Sequence, residues 1–319
     1  MTDRTVNQML QNSLNWTLVD RFVLLGLTEE PSLQKILFII FLIIYTLSLV
    51  GNASIMLIVI LEQILHTPMY FFLSNLSFFD ICFSSVTVPK MLQILLTQQK
   101  VISVTACLAQ MHFFHFLGSS EVLLLTAMSY DRYVAICKPL HYCGIMNRRT
   151  CLLFALGSWL AGFFHSLMHT LFTAQLPFCG SNNVNHFFCD IKPLLKLACA
   201  DTKLNAHLLV LVTGSLVVIS FLLTFLSYIF ISSALLRIRS SAGRLRAFST
   251  CASHLLVVIL LYGTAIFTYV RPITEETLQT DRIAAIFFTV LTPMLNPLIY
   301  ALRNQDVKNA TKKLFRYLM

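Results

Sequence analysis

Charged side chains are scarce in this sequence. Asp, Glu, Lys and Arg make up 12% of the 319 residues, whereas hydrophobic residues make up 57%. Soluble domains normally carry about 25% charged residues, so this composition excludes a soluble globular protein and predicts a membrane protein. The net charge of +9 then reflects which membrane face carries the basic residues, and no nucleic-acid partner is expected.

Seven apolar runs are long enough to cross a hydrocarbon core of about 30 Å. They predict an all-α membrane protein, a seven-transmembrane helix bundle over residues 35–302. The bundle follows an N-terminal segment, 1–34, and precedes a short amphipathic C-terminal helix in the tail, 303–319. The predicted spans are 35–61, 69–92, 103–136, 150–173, 205–236, 248–270 and 281–302.

Acidic residues are nearly absent from one face of this arrangement. Twelve of the 23 Lys and Arg residues fall on that face, with only Glu62 and Asp306 as acids. Because basic loops stay in the cytoplasm, we expect a multi-pass plasma-membrane protein with an extracellular N-terminus and a cytoplasmic C-terminus. The first 34 residues also lack a basic segment followed by a short apolar stretch. No cleaved signal peptide is therefore expected, and Asn15-Trp16-Thr17 is the candidate glycosylation sequon, at Asn15.

The sequence shows no pattern typical of a transporter or an enzyme. We find no internal repeat of the kind that transporters show, and no nucleophile–base pair that would indicate an enzyme. Two pairs of histidines, His112 with His115 and His165 with His169, could form a metal site in the outer half of the bundle. Polar packing is favoured instead, since no cysteine or acid shares their register.

An acid–base pair, Asp131-Arg132, ends the third apolar run and precedes a basic loop. A charge at membrane depth is costly unless it finds a partner or water. Adjacent helical residues do not face each other, so the pair depends on the reach of Arg132 and can be broken by a competitor. Two interpretations stay open: a switch, or an arginine that snorkels to the interface as an anchor.

Two acids within predicted helices and four cysteines on the outer side also constrain the structure. Asp80 and Glu121 are acids inside predicted helices, and both cannot stay charged without a cation or a shared proton. Four cysteines fall on the outer side, where three pairings are possible; they are Cys107, Cys179, Cys189 and Cys199.

Motifs along most of the chain resemble one receptor family. They are Gly51-Asn52, Leu65–Tyr70, Leu76–Asp80, Met128–Tyr142, His186–Asp190, Leu195–Cys199, Ala247–His254 and Pro293–Asn304. The chain is similar to rhodopsin-like G-protein-coupled receptors and, among them, to odorant receptors of the large tetrapod group. The resemblance implies a small volatile ligand, a lipid surround, and coupling to a stimulatory, olfactory-type heterotrimeric G protein that raises cyclic AMP.

The resemblance also implies roles for particular residues. It pairs Cys107 with Cys189 and Cys179 with Cys199. It implies a bound sodium ion, the one possible cofactor, at Asp80, Glu121 and Asn296. It assigns the G-protein switch to Asp131, Arg132, Tyr133 and Tyr300, together with the loops 138–149 and 237–247. Since Arg244 stands where many related receptors have an acid, another contact must hold the resting state.

One face of the third helix is the candidate ligand site. Its residues recur at helical spacing; they are Met111, His115, Gly118, Ser119 and Val122. By the resemblance this face looks towards Val212, Leu216, Tyr262, Ile266 and Tyr269. The alternative is ordinary helix packing, in which Gly118 and Ser119 let two helices approach.

Overall fold

The computed structural model describes residues 19–237, 241–271, 274–303 and 307–310. In these ranges the chain forms seven long helices, which confirms the predicted helix bundle. Helix ends differ from the predicted ones by up to seven residues. The helices are α1 Pro31–Leu61, α2 Pro68–Thr97, α3 Val104–Cys137, α4 Arg148–Ala174, α5 Lys203–Leu208 continuing through Leu209–Thr213 into Gly214–Leu236, α6 Ser241–Tyr269, and α7 Glu275–Ile286 continuing through Phe287–Leu291 into Thr292–Arg303.

Local sequence signals set where several helices begin. Pro31 and Pro68 occupy the first turns of α1 and α2, where the missing N–H is no loss. The Ser103 hydroxyl accepts a hydrogen bond from Ala106 N at 3.2 Å and caps α3. Thr274 caps α7 in the same manner. These caps satisfy amides that the first helical turn leaves unpaired.

The polarity of the bundle is inverted relative to a soluble protein. Five helices are long and apolar enough to cross a membrane: α1, α2, α4, α5 and the Glu276–Tyr300 part of α7. Large apolar side chains such as Ile43, Leu153 and Phe225 are exposed on the outside. In contrast, α3 buries polar groups, among them Glu121 and Asp131, against its neighbours. An apolar exterior around a partly polar interior fits a lipid environment.

A small sheet that the sequence analysis did not foresee closes one end of the bundle. It has the order β2-β1-β3, with β1 Arg21–Leu24, β2 Val101–Ser103 and β3 Asn183–Val184. Strand β1 runs antiparallel to β2 and parallel to β3, and its Phe22 and Leu24 side chains are fully buried. We call this the sheet end, and the opposite end, where α3 finishes, the Arg132 end.

Two turns of π-helix interrupt the longer helices, at Leu209–Thr213 in α5 and Phe287–Leu291 in α7. A π turn fits an extra residue into a helical turn and so changes which residues share a face beyond it. The turn in α5 lies near the sheet end and the turn in α7 lies at the middle of its helix, and each contributes a residue to the cavity described below, Thr213 and Phe288. The predicted tail helix lies mostly outside the described residues; of those described, Val307 and Ala310 are buried.

Candidate functional site

A cavity opens among α2, α3, α5, α6 and α7 towards the sheet end. It holds about 510 Å³ of space not occupied by atoms, part of it open to the outside. Six of the ten predicted ligand residues line it. The lining consists of Phe83, Phe114, His115, Gly118, Ser119, Val122, Thr213, Leu216, Val217, Leu261, Thr264, Ala265, Tyr269 and Phe288.

Four predicted ligand residues lie outside this lining. Met111 is fully buried one turn nearer the sheet end. The Tyr262 hydroxyl reaches back to α3, 2.8 Å from Thr126 Oγ1 and 3.0 Å from Val122 O. Val212 lies in the π turn and faces a groove between α3, α4 and α5. Ile266 packs against the core.

Three aromatic residues of the lining were missed by the sequence analysis. Phe83 on α2 stacks on Phe114 with ring centroids 5.0 Å apart, and Phe288 in α7 lies 5.7 Å from Phe114. Phe114 precedes His115 on α3, so its position placed it at the edge of the helix face that was predicted to contact the ligand. For Phe83 and Phe288 no sequence signal marks which face of α2 or α7 turns inward.

Histidines of α4 join three helices beside the cavity. Ser119 Oγ lies 2.9 Å from His165 Nδ1, and His165 Nε2 lies 2.9 Å from Thr213 Oγ1. The same threonine oxygen lies 3.0 Å from His169 Nε2. Within the described residues no group of three His, Cys, Asp or Glu side chains could hold a metal ion. These contacts show the histidines packing α3, α4 and α5 together.

An acid from the loop before α5 reaches the cavity wall. Asp190 Oδ1 lies 2.9 Å from His115 Nε2, and both side chains are buried. Burial alone would raise the pKa of Asp190, but the hydrogen bond from His115, with nearby His186, holds this pKa below its usual value. Asp190 also accepts from the Ile191 amide at 2.8 Å. In the sequence, no acid shares the helical register of the histidines. In the structure, the loop supplies Asp190 as the acidic partner of His115.

Both disulfides of the structure hold this loop in place. One joins Cys107 at the start of α3 to Cys189, with Cα atoms 5.4 Å apart. The other joins Cys179 to Cys199 within the loop, with Cα atoms 6.0 Å apart. Gln110 Oε1 accepts from the Cys189 amide at 2.9 Å. The segment before Asp190 is thus fixed to α3.

On the other side of Asp190, a buried ion cluster ties the same loop to α6 and α7. Lys192 is 1% exposed, and its ammonium lies 2.9 Å from Asp281 Oδ2. Arg271 Nη2 lies 2.7 Å from Asp281 Oδ1. Lys192 also donates to the carbonyl of Thr268. Residues 189–192 therefore span the cavity mouth from α3 to α6 and α7.

Deeper in the bundle, the structure brings Asp80 and Asn296 together. Asn296 Nδ2 donates to both carboxylate oxygens of Asp80 at 3.0 Å. Glu121 is 2% exposed and interacts electrostatically with Asp80. One Glu121 carboxylate oxygen and Asn296 Oδ1 have no hydrogen-bond partner among the described residues. Buried oxygens of this kind are suitable ligands for a small hard cation.

At the Arg132 end, the predicted acid–base pair forms. Arg132 Nη2 lies 3.7 Å from Asp131 Oδ2, while the Tyr142 hydroxyl donates to Asp131 Oδ1 at 2.8 Å. Burial and the neighbouring Asp131 carboxylate raise the pKa of Tyr142, which keeps this phenol a donor. The Tyr133 ring packs 5.8 Å from Phe230.

Near Arg132, a further contact connects α5 and α6, and Tyr300 of α7 lies close by. Tyr228 Oη lies 2.7 Å from His254 Nδ1, a link between α5 and α6 that is not an ion pair. Tyr300 is buried, and its hydroxyl has no partner in the part of the chain that the structure describes. Three sequence predictions fall wholly or partly outside the described residues: the sequon at Asn15, positions 238–240 of the basic loop 237–247, and most of the tail. Positions 241–247 of that predicted loop belong instead to the first turns of α6.

Comparison with known proteins agrees with this arrangement over most of the chain. The family model for olfactory receptors matches residues 41–317. Olfactory receptor 12D1 of Homo sapiens is 55% identical over 298 residues, which cover 93% of each chain. Olfactory receptor 12D2 of Homo sapiens is 52% identical, covering 96% of this chain and all of that protein. Olfactory receptor 5AR1 of Mus musculus is 49% identical over 94% of this chain. The chain therefore belongs to the olfactory receptor family, which consists of multi-pass G-protein-coupled receptors and not of enzymes.

Proposed function

We propose that this receptor binds a small volatile odorant in the cavity at the sheet end and activates a stimulatory, olfactory-type G protein, raising cyclic AMP. In this proposal the sheet end is extracellular, and the Arg132 end faces the cytoplasm of a plasma-membrane receptor. The observation that carries it is the cavity itself. Its lining is largely apolar with a few polar groups, among them His115, Ser119 and Thr213, the usual composition of a small-molecule site.

A chain of contacts supports communication between the two ends. Val122 lines the cavity, and its carbonyl accepts from the Tyr262 hydroxyl on α6. Further along α6, His254 bonds Tyr228 of α5, close to Arg132. If a ligand binds more tightly to a conformation with a different spacing of α3 and α6, it must raise the population of that conformation. In the proposed resting state, Asp131 and Tyr142 hold the Arg132 switch, with Tyr133 and Tyr300 beside it and the loops 138–149 and 237–247 forming the G-protein contact.

A sodium ion is the second element of the proposal. Asp80 and Glu121 are two buried acids on neighbouring helices, and two carboxylates in a medium of low dielectric repel unless a cation or proton separates them. The unpartnered oxygens of Glu121 and Asn296 support a site for sodium between α2, α3 and α7. Such an ion would stabilise the inactive arrangement.

The direct test of coupling is Arg132→Ala in a reporter cell. We expect this variant to abolish the cyclic AMP response to odorants while most of the protein still reaches the cell surface. Lys203→Ala removes an exposed positive charge at the other end and is the matched control, with a normal response expected. If Arg132→Ala signals normally at matched expression, Arg132 is an interfacial anchor and the proposed switch is wrong.

A further inference from the structure

The hydroxyl of Tyr269 stands apart from the other polar groups of the cavity. Tyr269 is 7% exposed and lines the cavity, with its ring 5.7 Å from that of His115. Among the described residues its hydroxyl has no hydrogen-bond partner. A buried donor without an acceptor carries a desolvation cost that a bound acceptor would relieve.

The other hydroxyls of the lining are already engaged. Ser119 is bonded to His165, and Thr213 lies between His165 and His169. Thr264 donates to the carbonyl of Leu260, one turn earlier in its own helix, at 2.7 Å. Of the described lining hydroxyls, Tyr269 therefore supplies the donor that a ligand can use without breaking an existing bond.

The charged groups around this corner already have partners. Asp190 accepts a hydrogen bond from His115, and Asp281 has both Lys192 and Arg271 as partners. A ligand with a full charge would either break one of these pairs or stay uncompensated in a mostly apolar cavity. Burying an unpaired charge is costly, so the site favours a neutral molecule over a carboxylate or an ammonium ion.

We infer that the ligand is a neutral, hydrogen-bond-accepting volatile, an aldehyde, ketone or ester, whose carbonyl oxygen accepts from Tyr269. Its hydrocarbon part lies against the rings of Phe83, Phe114 and Phe288, which form the apolar wall. The inference rests on the proposed odorant-binding cavity and specifies the chemical class that this cavity takes. A small ligand gains at most about 1.5 kcal/mol per heavy atom, so one added hydrogen bond is a substantial share of its affinity.

The test uses the full-length receptor in a cyclic AMP reporter cell and a homologous series of straight-chain aldehydes. Each aldehyde is compared with the carboxylic acid, the amine and the hydrocarbon of the same chain length. We expect the aldehydes to have the lowest half-maximal concentrations. Tyr269→Phe should raise these concentrations roughly three- to tenfold, the worth of one hydrogen bond, with a smaller change for ligands that lack an acceptor.

Tyr45→Phe is the matched control, because it makes the same chemical change in α1, outside the cavity lining, where the hydroxyl lies 3.0 Å from Ser85 Oγ. It should change aldehyde potency by less than about twofold. Tyr269→Phe removes only an unpartnered buried hydroxyl, so surface expression should be retained.

Three results would overturn the inference. Aldehyde potency that is unchanged in Tyr269→Phe removes the role of this hydroxyl. Acids or amines that act at lower concentrations than aldehydes contradict the neutral class. An equal loss for every ligand in Tyr269→Phe marks a packing role. All three leave the odorant-receptor proposal intact, whereas a wild-type receptor that reaches the surface and answers no volatile of any class contradicts both.

Discussion

The ammonium of Lys192 lies 2.9 Å from the carboxylate of Asp281, and both side chains are at least 95% buried. This contact joins the loop of the two disulfides to α7. Removing one partner of a buried pair leaves the other uncompensated, which typically costs about 3–5 kcal/mol. Because Arg271 still contacts Asp281, we expect Lys192→Met to lower the free energy of unfolding by about 3 kcal/mol.

The melting temperature of the detergent-solubilised receptor measures this effect. Lys203→Ala is the control, since its contact with Asp201 joins two exposed side chains 3.7 Å apart. Exposed pairs contribute little, so its melting temperature should stay close to wild type. Equal melting temperatures for Lys192→Met and Lys203→Ala would show that the cluster does not hold the loop.

The cysteine pairing is open to direct chemical mapping. Proteolysis of the non-reduced receptor should release one fragment linking Cys107 to Cys189 and another linking Cys179 to Cys199, as these pairs are placed in the structure. Mass spectrometry before and after reduction identifies them. A fragment that links Cys107 to Cys179 or to Cys199 would contradict this pairing.

Sodium dependence tests the proposed ion. Replacing extracellular and assay sodium by a bulky organic cation should raise ligand-independent cyclic AMP in the wild type, since the ion stabilises the inactive state. Asp80→Asn and Glu121→Gln should each abolish this sensitivity. Asp201→Asn changes an exposed acid near the sheet end and should leave it intact. A sensitivity that persists in both buried variants would rule out the pocket.

Acid should destabilise the receptor through His186. Burial, together with nearby Arg282, lowers the pKa of this loop histidine to about 4, and its Nδ1 accepts from the Phe188 amide. Below the ordinary pKa of about 6.5 the unfolded chain binds a proton that the folded protein does not, so stability falls as pH drops from about 6.5 to 4. At about 1.4 kcal/mol per pH unit, the loss from this group is about 2 kcal/mol at pH 5.

The measurement is the difference in melting temperature between pH 7.5 and pH 5, taken for wild type and His186→Gln. The wild type should lose more, because the glutamine does not titrate, whereas the remaining histidines affect both proteins alike. Identical losses would show that His186 takes up no proton on unfolding.

Features that depend on residues close together in the sequence were predictable, whereas features that depend on distant residues were not. The helices were predictable because apolar runs of this length have few other solutions in a membrane. The cavity face of α3 was predictable over His115, Gly118, Ser119 and Val122 because one regular helix carries all four. Val212 lies outside the cavity lining because the π turn of α5 changes the register that leads to Leu216.

Contacts between distant segments were harder to predict. The hydrogen bond from His115 to Asp190 joins a helix to a loop residue 75 positions away, and helical periodicity does not indicate where a loop acid will lie. The sheet is a similar case, because strands of two to four residues are too short for alternation to stand out. Lys192 and Asp281 are likewise 89 residues apart, so no local pattern marks them as partners.

The space beside Gly118 distinguishes an odorant cavity from ordinary helix packing. A Cβ at Gly118 would lie 3.4 Å from the Phe83 ring, an ordinary contact, so a larger side chain extends into the cavity. A Cβ at Gly162 would instead meet the α3 backbone at 2.8 Å, at Phe116 O, which makes Gly162 the packing control.

Cyclic AMP responses to a graded series of agonists are measured at equal surface expression. We expect Gly118→Leu to weaken responses to bulky agonists more than to small ones, whereas Gly162→Ala should lower surface expression without any dependence on agonist size. A uniform loss in Gly118→Leu with poor surface expression would contradict the cavity as the odorant site.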